Sequence, residues 1–352
     1  MVSPAKQIWK DFSSGKGGTV ITFLMEHEQY SYPEAIKYIA NKYNIEVEET
    51  ERTPEQISED NEKESLFQVS DFAKNYFKKN LFEKEGKTIA LSYLKERKFK
   101  GDIIEKFEIG YSVKSKDNFS RAAIDAGYKL NFLEKTGLTI VKDSENIDRF
   151  RGRVVFPIKS MSGRILGFGG RILGSSKNLA KYINSPESLI YQKSKVLYGI
   201  YESKQSIVKN DNCFLVEGYT DVIQMYQKGI ENVVSSSGTA LTVSQINLIR
   251  RLTKNVTMLF DSDKAGVNAT ERAVELLLSQ GMNIDICILP DNEDPDSFGR
   301  SKTSEEINNY VEENSVDFIE FKSNMLGSSI KNSPSQKTKI INEILSLIHI
   351  SE

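Results

Sequence analysis

The second half of the chain alternates between short apolar runs and amphipathic segments. The runs "NCFLVEG", "NVVSSSG", "VTMLFDSD" and "NIDICILP" predict strands. The segments between them predict helices at 221–228, 242–252 and 265–280, the last ended by Gly281. Because strands and helices alternate with short loops, we expect βαβ units and a mostly parallel sheet.

The first half follows a different pattern. Residues 66–128 show mostly helical periodicity, with Ala90, Tyr93 and Leu94 on one face. Strand-like runs begin near Phe150, where "RVVFPI" and "RILGFGGRIL" flank the turn "SMSG" and predict a hairpin. Within the second run, "GFGG" indicates a tight turn rather than a phosphate-binding loop.

The first 47 residues predict a small separate unit. The Gly-rich loop "KDFSSGKGG" precedes predicted helices at 19–28 and 32–43, with Pro33 in the first turn of the second. Residues 48–64 contain many acids and almost no apolar residue, which predicts a linker or at most an exposed helix. The segment after Asn324 is polar and predicted to be helical.

Length and composition indicate a soluble globular protein. A chain of 352 residues, 39% hydrophobic and 27% charged, is long enough for two domains and a smaller appendage. No apolar run reaches the roughly 20 residues of a membrane span, and no signal pattern opens the sequence. Cys213 and Cys287 lie in apolar runs and are expected to be buried, inert thiols. We therefore expect a cytoplasmic protein without a membrane partner.

Charge is distributed unevenly. The formal net charge is −2, yet residues 149–204 contain eleven Lys/Arg and two Glu, a local excess of nine positive charges. Acids concentrate instead at 46–64 and 285–296. This asymmetry favours a polyanion on one surface and a metal or acidic site on another, although a solvated basic face remains the alternative.

Carboxylates follow three predicted strands. Glu217 ends "FLVEG", Asp261 and Asp263 end "MLFDSD", and three more acids follow "CILP" at 291, 294 and 296. In an open α/β sheet, ligands collect at this edge. Carboxylates about 4 Å apart repel by roughly 4 kcal/mol at an effective dielectric near 20, and a divalent cation removes that penalty. Oxygen ligands favour Mg²⁺ or Mn²⁺, which indicates phosphoryl or nucleotidyl transfer.

Each acid also has an ordinary structural alternative. Asp221 could cap a helix, and residues 294–296 could form a turn. For Glu217, Asp261 and Asp263 together, all at predicted strand ends, a metal site is the better explanation.

Several motifs resemble a known family. "VEGYTDV", "FDSDKAG" and "PDNEDPDSF" resemble the Toprim domain of primases and topoisomerases. "RFRGRVVFPI", "GRILGFGGRIL", "KYINSPES" and "QKSKVLYG" resemble the basic motifs of bacterial DnaG-type primases. "VSPAKQIWKDFSSGKGG" resembles the second half of that family's N-terminal zinc-binding domain. The resemblance runs from about Val2 to about Leu345 in the family's order.

This resemblance assigns roles to individual residues. It implies that Glu217, Asp261 and Asp263 are magnesium ligands and that Asp221 and Asp296 are supporting acids of the same cluster. It also implies a basic ridge for template and nucleotide phosphates, formed by Arg151, Arg153, Arg171, Lys181, Asn184 and Lys193. The alternation of arginines at 149, 151 and 153 agrees, because it predicts one shared strand face, but ordinary surface cations are the alternative.

The implied fold is α/β (α+β overall), with a Toprim-type, mostly parallel sheet flanked by helices. Beside it we expect a helix-rich basic N-terminal subdomain with a β-hairpin region. The expected segments are 1–47, a partial zinc-binding-type domain; 48–64, an acidic linker; 65–208, the basic subdomain; 209–300, the Toprim domain; and 301–352, a helical C-terminal part.

The implied function is a DNA primase, an enzyme that synthesises short RNA primers on single-stranded DNA. Expected partners are the template, ribonucleoside triphosphates, the RNA primer and, for the full-length protein, the replicative helicase. We expect a monomer acting at the replication fork in the cytoplasm. Two alternatives stay open: a catalytically silent single-stranded-DNA-binding fragment, and another Toprim enzyme such as a topoisomerase or nuclease.

The sequence also departs from the family. Asp11 and Ser14 stand where the family's Cys-x-x-Cys would, so we expect no zinc in this chain. The first half of the zinc-binding domain and the helicase-binding domain have no counterpart here, and "SLIHISE" does not resemble the family; we expect a truncated gene or read whose last residues are not native. The first 47 residues should then depend on apolar packing by Trp9, Phe12, Ile21, Phe23, Leu24, Ile36 and Ile39.

Overall fold

A computed structural model describes residues 1–12, 16–28, 30, 32–43, 45, 54–174, 179–260, 264–290 and 293–321. At 5, 260 and 264–271 the description covers the backbone alone. Asp261 and Asp263 therefore lie outside the described residues, as do 48–53 of the expected linker and the segment after Asn324.

The N-terminal unit combines a small antiparallel sheet with two helices. Its elements are β1 (Val2–Ser3), β2 (Ile8–Lys10), β3 (Gly17–Gly18), α1 (Val20–His27) and α2 (Tyr32–Tyr43). Thr19 caps α1, because its hydroxyl accepts the Thr22 N–H. The core consists of Leu24, Tyr30 and Ala35. The expectation that Phe12 packs inside is wrong, since that side chain is 75% exposed.

Helices dominate the next segment, as its periodicity predicted. They are α3 (Pro54–Leu81), α4 (Lys84–Gly86), a π-helical turn (Lys87–Leu91), α5 (Ser92–Glu96), α6 (Gly101–Lys106), α7 (Asn118–Asp125), α8 (Leu130–Lys135) and α9 (Ile200–Asn210). The acidic stretch 54–64 is the mostly exposed first part of α3, which corresponds to the exposed-helix alternative. Buried Leu66, Val69, Ala73 and Phe77 anchor the rest of α3 to the core.

A four-stranded antiparallel sheet packs on these helices. The strands of this segment are β4 (Gly110–Ser112), β5 (Thr139–Lys142), β6 (Glu145–Asp148), β7 (Arg153–Lys159), β8 (Ile165–Ile172) and β9 (Tyr182–Asn184). The sheet order is β4-β7-β8-β9, while β5 and β6 pair separately. Pairing of β7 with β8 confirms the predicted hairpin.

The turn predicted for "GFGG" is wrong, because all four residues lie inside β8. A Cβ on Gly169 would approach the Tyr219 ring to 2.4 Å, and one on Gly170 would approach the Phe150 ring to 2.5 Å. These glycines therefore allow aromatic rings to lie directly against the strand.

The second sheet is the predicted parallel one. Its elements are β10 (Cys213–Val216), α10 (Tyr219–Gln227), β11 (Val233–Ser235), α11 (Val243–Arg250), β12 (Asn255–Phe260), α12 (Lys264–Ser279), β13 (Asn283–Ile288), α13 (Pro295–Ser301), α14 (Ser304–Asn314) and β14 (Ser315–Asp317). The order is β11-β10-β12-β13-β14, and only the β14 pairing is antiparallel.

One apolar cluster joins the two sheets. It contains Leu81, Tyr111 and Phe156 from the helical segment together with Val222 and Phe298 from the parallel-sheet segment. Both cysteines are free and buried, as predicted, and burial raises the pKa of the Cys287 thiol to about 11. None of the helices in the described ranges combines the length and apolar character needed to cross a membrane.

Candidate active site at the carboxyl edge of the parallel sheet

Glu217 directly follows β10 and is exposed. Since Leu215 is paired with Met258 of the neighbouring parallel strand, Glu217 lies level with Phe260, the last residue of β12. The sequence continues from there with Asp261 and Asp263. The described part of the sheet thus places Glu217 beside the end of β12, the strand that the predicted ligands Asp261 and Asp263 follow in the sequence.

Asp221 occupies the first turn of α10, where its Oδ2 accepts the Gly218 N–H at 2.8 Å. This contact is the capping role that the sequence left as an alternative. A carboxylate at a helix N-terminus also stabilises the helix dipole. Asp221 therefore fixes the turn that begins with Glu217.

A cavity of about 310 Å³ opens beside Glu217. Its wall includes Arg272 and the loop 236–241 that follows β11. The Ser236 hydroxyl donates to the Thr239 carbonyl and the Thr239 hydroxyl donates to the Ser236 carbonyl, which holds this loop, and Gly238 adopts φ +78° within it. Sequence reasoning missed this loop because it extended the strand through "NVVSSSG", whereas β11 ends at Ser235 and the small polar residues after it begin the loop.

Asp296 lies in the first turn of α13, which Asp294 caps by accepting the Ser297 N–H at 2.6 Å. The predicted turn at 294–296 is thus a helix start. Only 1% of Asp296 is exposed, and its Oδ2 forms an ion pair with Arg97 Nη1 and lies 3.5 Å from Arg300 Nε. Burial raises the pKa of the Asp296 carboxyl, whereas the two guanidinium groups oppose that shift.

The donors at this edge suit a hard cation. Glu217 supplies an exposed carboxylate, while the thiols of Cys213 and Cys287 are buried within their strands. Among the described side chains no group of three His, Cys, Asp or Glu is close enough to hold a metal, but two of the three predicted ligands fall outside that set. Their roles stay a prediction.

The basic residues do not share a strand face. Arg149 and Arg151 lie in the turn between β6 and β7, so that prediction is wrong for them. Arg153, the first residue of β7, is 5% exposed. Its guanidinium donates to the carbonyl oxygens of Gly170, Ala180 and Lys181 at 3.0–3.3 Å. Burial lowers the pKa of Arg153, and repulsion from Arg151 and Arg149 lowers it further.

The remaining ridge residues surround β9. Arg171 is 8% exposed and lies between the rings of Tyr93 and Tyr182, at 5.1 and 5.2 Å. Lys181 is exposed and directly precedes β9, and Asn184 ends the strand. The Asn184 side-chain amide nitrogen donates to the Tyr219 hydroxyl, and the amide oxygen accepts from Lys193 Nζ at 2.9 Å.

Ion pairing divides the basic stretch into two groups. Within the described ranges, none of the five predicted ridge cations pairs with a carboxylate: Arg151, Arg153, Arg171, Lys181 and Lys193. By contrast, Lys159, Arg164 and Lys204 pair with Glu202, Glu64 and Glu28. The positive charge around β9 is therefore not neutralised by these pairs.

The ridge and the acidic edge are in contact. Tyr219 lies two residues after Glu217, and its hydroxyl is 2.6 Å from the Asn184 amide. The Tyr219 ring stacks on Phe156 at 5.3 Å and lies against Gly169 of β8. Tyr219 therefore connects the turn that begins with Glu217 to the ridge residue Asn184.

Three family models match successive parts of the chain. Residues 1–55 match the CHC2 zinc finger, 76–204 match the N-terminal domain of the DNA primase catalytic core, and 214–299 match a Toprim-like domain. The Toprim-like match implies use of a divalent metal ion. The first match is to a zinc-binding family, unlike the expectation of no zinc, yet residues 1–55 contain no cysteine and a single histidine, His27.

Whole-chain comparisons agree with these matches. The DNA primase of Halalkalibacterium halodurans is 35% identical over 323 residues, which cover 91% of this chain and 53% of the relative. The chain spans about half the length of the curated relatives it matches.

Solved structures extend the likeness to three dimensions. The zinc-binding and RNA polymerase domains of Aquifex aeolicus primase are 33% identical, with a TM-score of 0.72, covering 98% of this chain and 81% of that one. A DnaG primase catalytic domain bound to single-stranded DNA is 32% identical, with a TM-score of 0.73, covering 82% and 94%. The chain belongs to the DnaG-type DNA primase family.

Proposed function

We propose that this chain contains the catalytic core of a DNA primase, which synthesises short RNA primers on single-stranded DNA by nucleotidyl transfer. The observation that supports this most directly is the contact of Tyr219 with Asn184, which joins the acidic edge to the unneutralised ridge. A polymerase needs both surfaces, one for metal and one for the phosphates of nucleotide and template.

At the acidic edge, Glu217, Asp261 and Asp263 would hold Mg²⁺ or Mn²⁺, with Asp221 and Asp296 as supporting acids. When bound, the metal would neutralise charge on the triphosphate and favour deprotonation of the primer hydroxyl. The exposed positions of Arg151 and Lys181 suit direct phosphate contact. The buried Arg153 and Arg171 would instead hold the ridge in shape.

Further proposals concern the whole protein. Single-stranded template, ribonucleoside triphosphates and the nascent primer are the proposed partners, together with the replicative helicase for the full-length protein. We place the enzyme in the cytoplasm at the replication fork, as a monomer. The proposed segments are those expected from the sequence, with the basic subdomain at 65–208 and the Toprim domain at 209–300.

The test is template-directed synthesis with labelled ribonucleotides, Mg²⁺ and single-stranded DNA. Wild-type chain should produce short RNA, and Glu217→Ala should not. Glu312→Ala, on the exposed face of α14, is the matched control and should behave as wild type. Template binding without synthesis by the wild type would overturn the proposed reaction and leave a nucleic-acid-binding fragment. Plasmid relaxation would indicate a topoisomerase instead.

A further inference from the structure

Two side chains connect the halves of the candidate site, although neither belongs to a predicted site: Tyr93 lies in α5, and Arg97 directly follows that helix. Arg97 pairs with Asp296, which lies 199 residues away in α13. Its own side chain is only 20% exposed. Because Asp296 is almost fully buried, its charge would be costly there without the guanidinium partner.

Tyr93 continues the connection toward the ridge. Its ring lies 5.4 Å from the Arg97 guanidinium and 5.1 Å from that of Arg171. Arg171 in turn contacts Tyr182, both through the ring at 5.2 Å and through a 2.6 Å hydrogen bond to the hydroxyl. We call this series the α5 bridge: Asp296, Arg97, Tyr93, Arg171 and Tyr182.

The α5 bridge is stabilised because charged groups alternate with aromatic rings along it. Two guanidinium groups repel each other, but here an aromatic ring contacts both, and Asp296 neutralises one of them. The planar guanidinium stacks on a ring and pairs with a carboxylate at the same time, which a lysine cannot do equally well. Both contacts of Arg97 therefore restrict its position.

The pairing with Arg97 involves only one of the two Asp296 carboxylate oxygens. Arg97 takes Oδ2, whereas Oδ1 is buried and has no hydrogen-bond partner among the residues that the structure describes. A buried carboxylate oxygen without a partner is unusual and calls for an explanation. Arg97 thus fixes the orientation of the Asp296 carboxylate through Oδ2.

We propose that Arg97 and Tyr93 are positioning residues for primer synthesis. Arg97 acts through Asp296 on the acidic side, and Tyr93 acts through Arg171 on the basic side. Together they set the distance between the two halves of the site. This inference rests on the proposed primase function, since synthesis is one of its readouts. A displacement of about 1 Å between reacting groups costs on the order of 100-fold in rate, so a loosened bridge should be measurable.

Four variants test the two residues. Arg97→Gln removes the charge, while Arg97→Lys keeps the charge and weakens the stacking. Tyr93→Leu removes the ring, whereas Tyr93→Phe keeps it and deletes only a hydroxyl that has no hydrogen-bond partner within the described ranges. Arg121→Gln is the control, because Arg121 makes an exposed ion pair with Asp117 on the same subdomain.

For Arg97→Gln we expect kcat to fall about tenfold or more while the ribonucleotide KM stays within about twofold. Arg97→Lys should recover most of that loss. Tyr93→Leu should raise the ribonucleotide KM about fivefold or more through Arg171, with Tyr93→Phe close to wild type. Unchanged kcat in Arg97→Gln, or equal losses in Arg97→Gln and Arg97→Lys, would overturn the role of Arg97. An unchanged KM in Tyr93→Leu would overturn that of Tyr93.

A thermal-unfolding cycle tests the pairing without any activity. If Arg97 acts through Asp296, the double variant Arg97→Gln/Asp296→Asn should unfold at the temperature of Asp296→Asn alone. Additive losses would show that the two residues are not coupled and would overturn the bridge. A wild type that never makes primers, combined with a coupled cycle, would refute the proposed function and leave the bridge standing.

Discussion

Arg153 and Arg151 look equivalent in the sequence, but the structure predicts opposite effects for their removal. Arg153→Ala takes away a buried guanidinium that donates to three carbonyl oxygens, those of Gly170, Ala180 and Lys181. Arg151 is exposed and makes one long hydrogen bond of 3.3 Å, to the Asp148 carbonyl. The stability of the fold should therefore depend on Arg153, whereas Arg151 should contribute directly to DNA binding.

The magnitude follows from those contacts. Leaving a buried polar group unpaired costs about 1–3 kcal/mol. Ala180 and Lys181 are exposed residues, so water can replace part of their lost hydrogen bonds. Removing Arg153 also relieves its repulsion with Arg149 and Arg151, which offsets a further part of the lost stability. We expect Arg153→Ala to lower the free energy of unfolding by about 3 kcal/mol, and Arg151→Ala to change it by less than about 0.5 kcal/mol.

Urea denaturation measures the first effect, and fluorescence anisotropy of single-stranded DNA over a range of salt concentrations measures the second. Arg151→Ala should weaken binding and reduce the log–log salt slope by about 0.7, the loss of one phosphate contact. Equal unfolding free energies for the two variants would refute the reasoning. So would an Arg153→Ala protein as stable as wild type, since the carbonyl contacts would then contribute nothing.

Other predictions concern the metal site, the ridge and the N-terminal unit. Glu217→Ala should retain less than about a tenth of primer synthesis at saturating Mg²⁺ without a lower melting temperature, because its carboxylate is exposed and arranged for metal; higher residual synthesis would show that it is no ligand. Lys193→Ala should flatten the salt dependence of DNA binding, and an unchanged slope would place the nucleic acid elsewhere. Elemental analysis should find no stoichiometric zinc in residues 1–55, which lack cysteine; zinc there would refute the expectation. Lys204, 3% exposed, donates to the Glu28 carboxylate, and this pairing lowers the Glu28 pKa despite partial burial. The stabilisation it gives should be present above the ordinary glutamate pKa and lost as pH falls below it, so the melting temperature of the wild type should lose its advantage over that of Lys204→Met as the pH falls through this range.

Much of the fold could be predicted because local patterns determined it. Alternating strands and helices after residue 213 gave the parallel sheet, and "SMSG" between two apolar runs gave the β7–β8 hairpin. The prediction failed at "GFGG", where local turn propensity was outweighed by packing of the Tyr219 and Phe150 rings. Those rings come from distant positions, so no window around the glycines contains the reason.

The candidate site shows the same division. Residue type and strand-end position identified Glu217, and the basic motifs identified the region of the ridge. The sequence could not show that Arg153 is buried and Arg151 exposed, because the burial of Arg153 depends on where the carbonyl groups of Ala180 and Lys181 lie in the folded chain. Arg97 was missed entirely, since in "KERKFK" it is one charge among several and its partner Asp296 is in another element.

The shared apolar cluster has a consequence for dividing this protein into modules. Matches to two families meet between residues 204 and 214, which suggests an obvious place to cut. Yet Tyr219 and Val222 of the second segment are buried in one cluster with Phe156 of the first. A fragment that starts at residue 214 would present this face to water and should self-associate. The Toprim segment of this chain could therefore be exchanged with that of another enzyme only together with the antiparallel sheet that covers its apolar face.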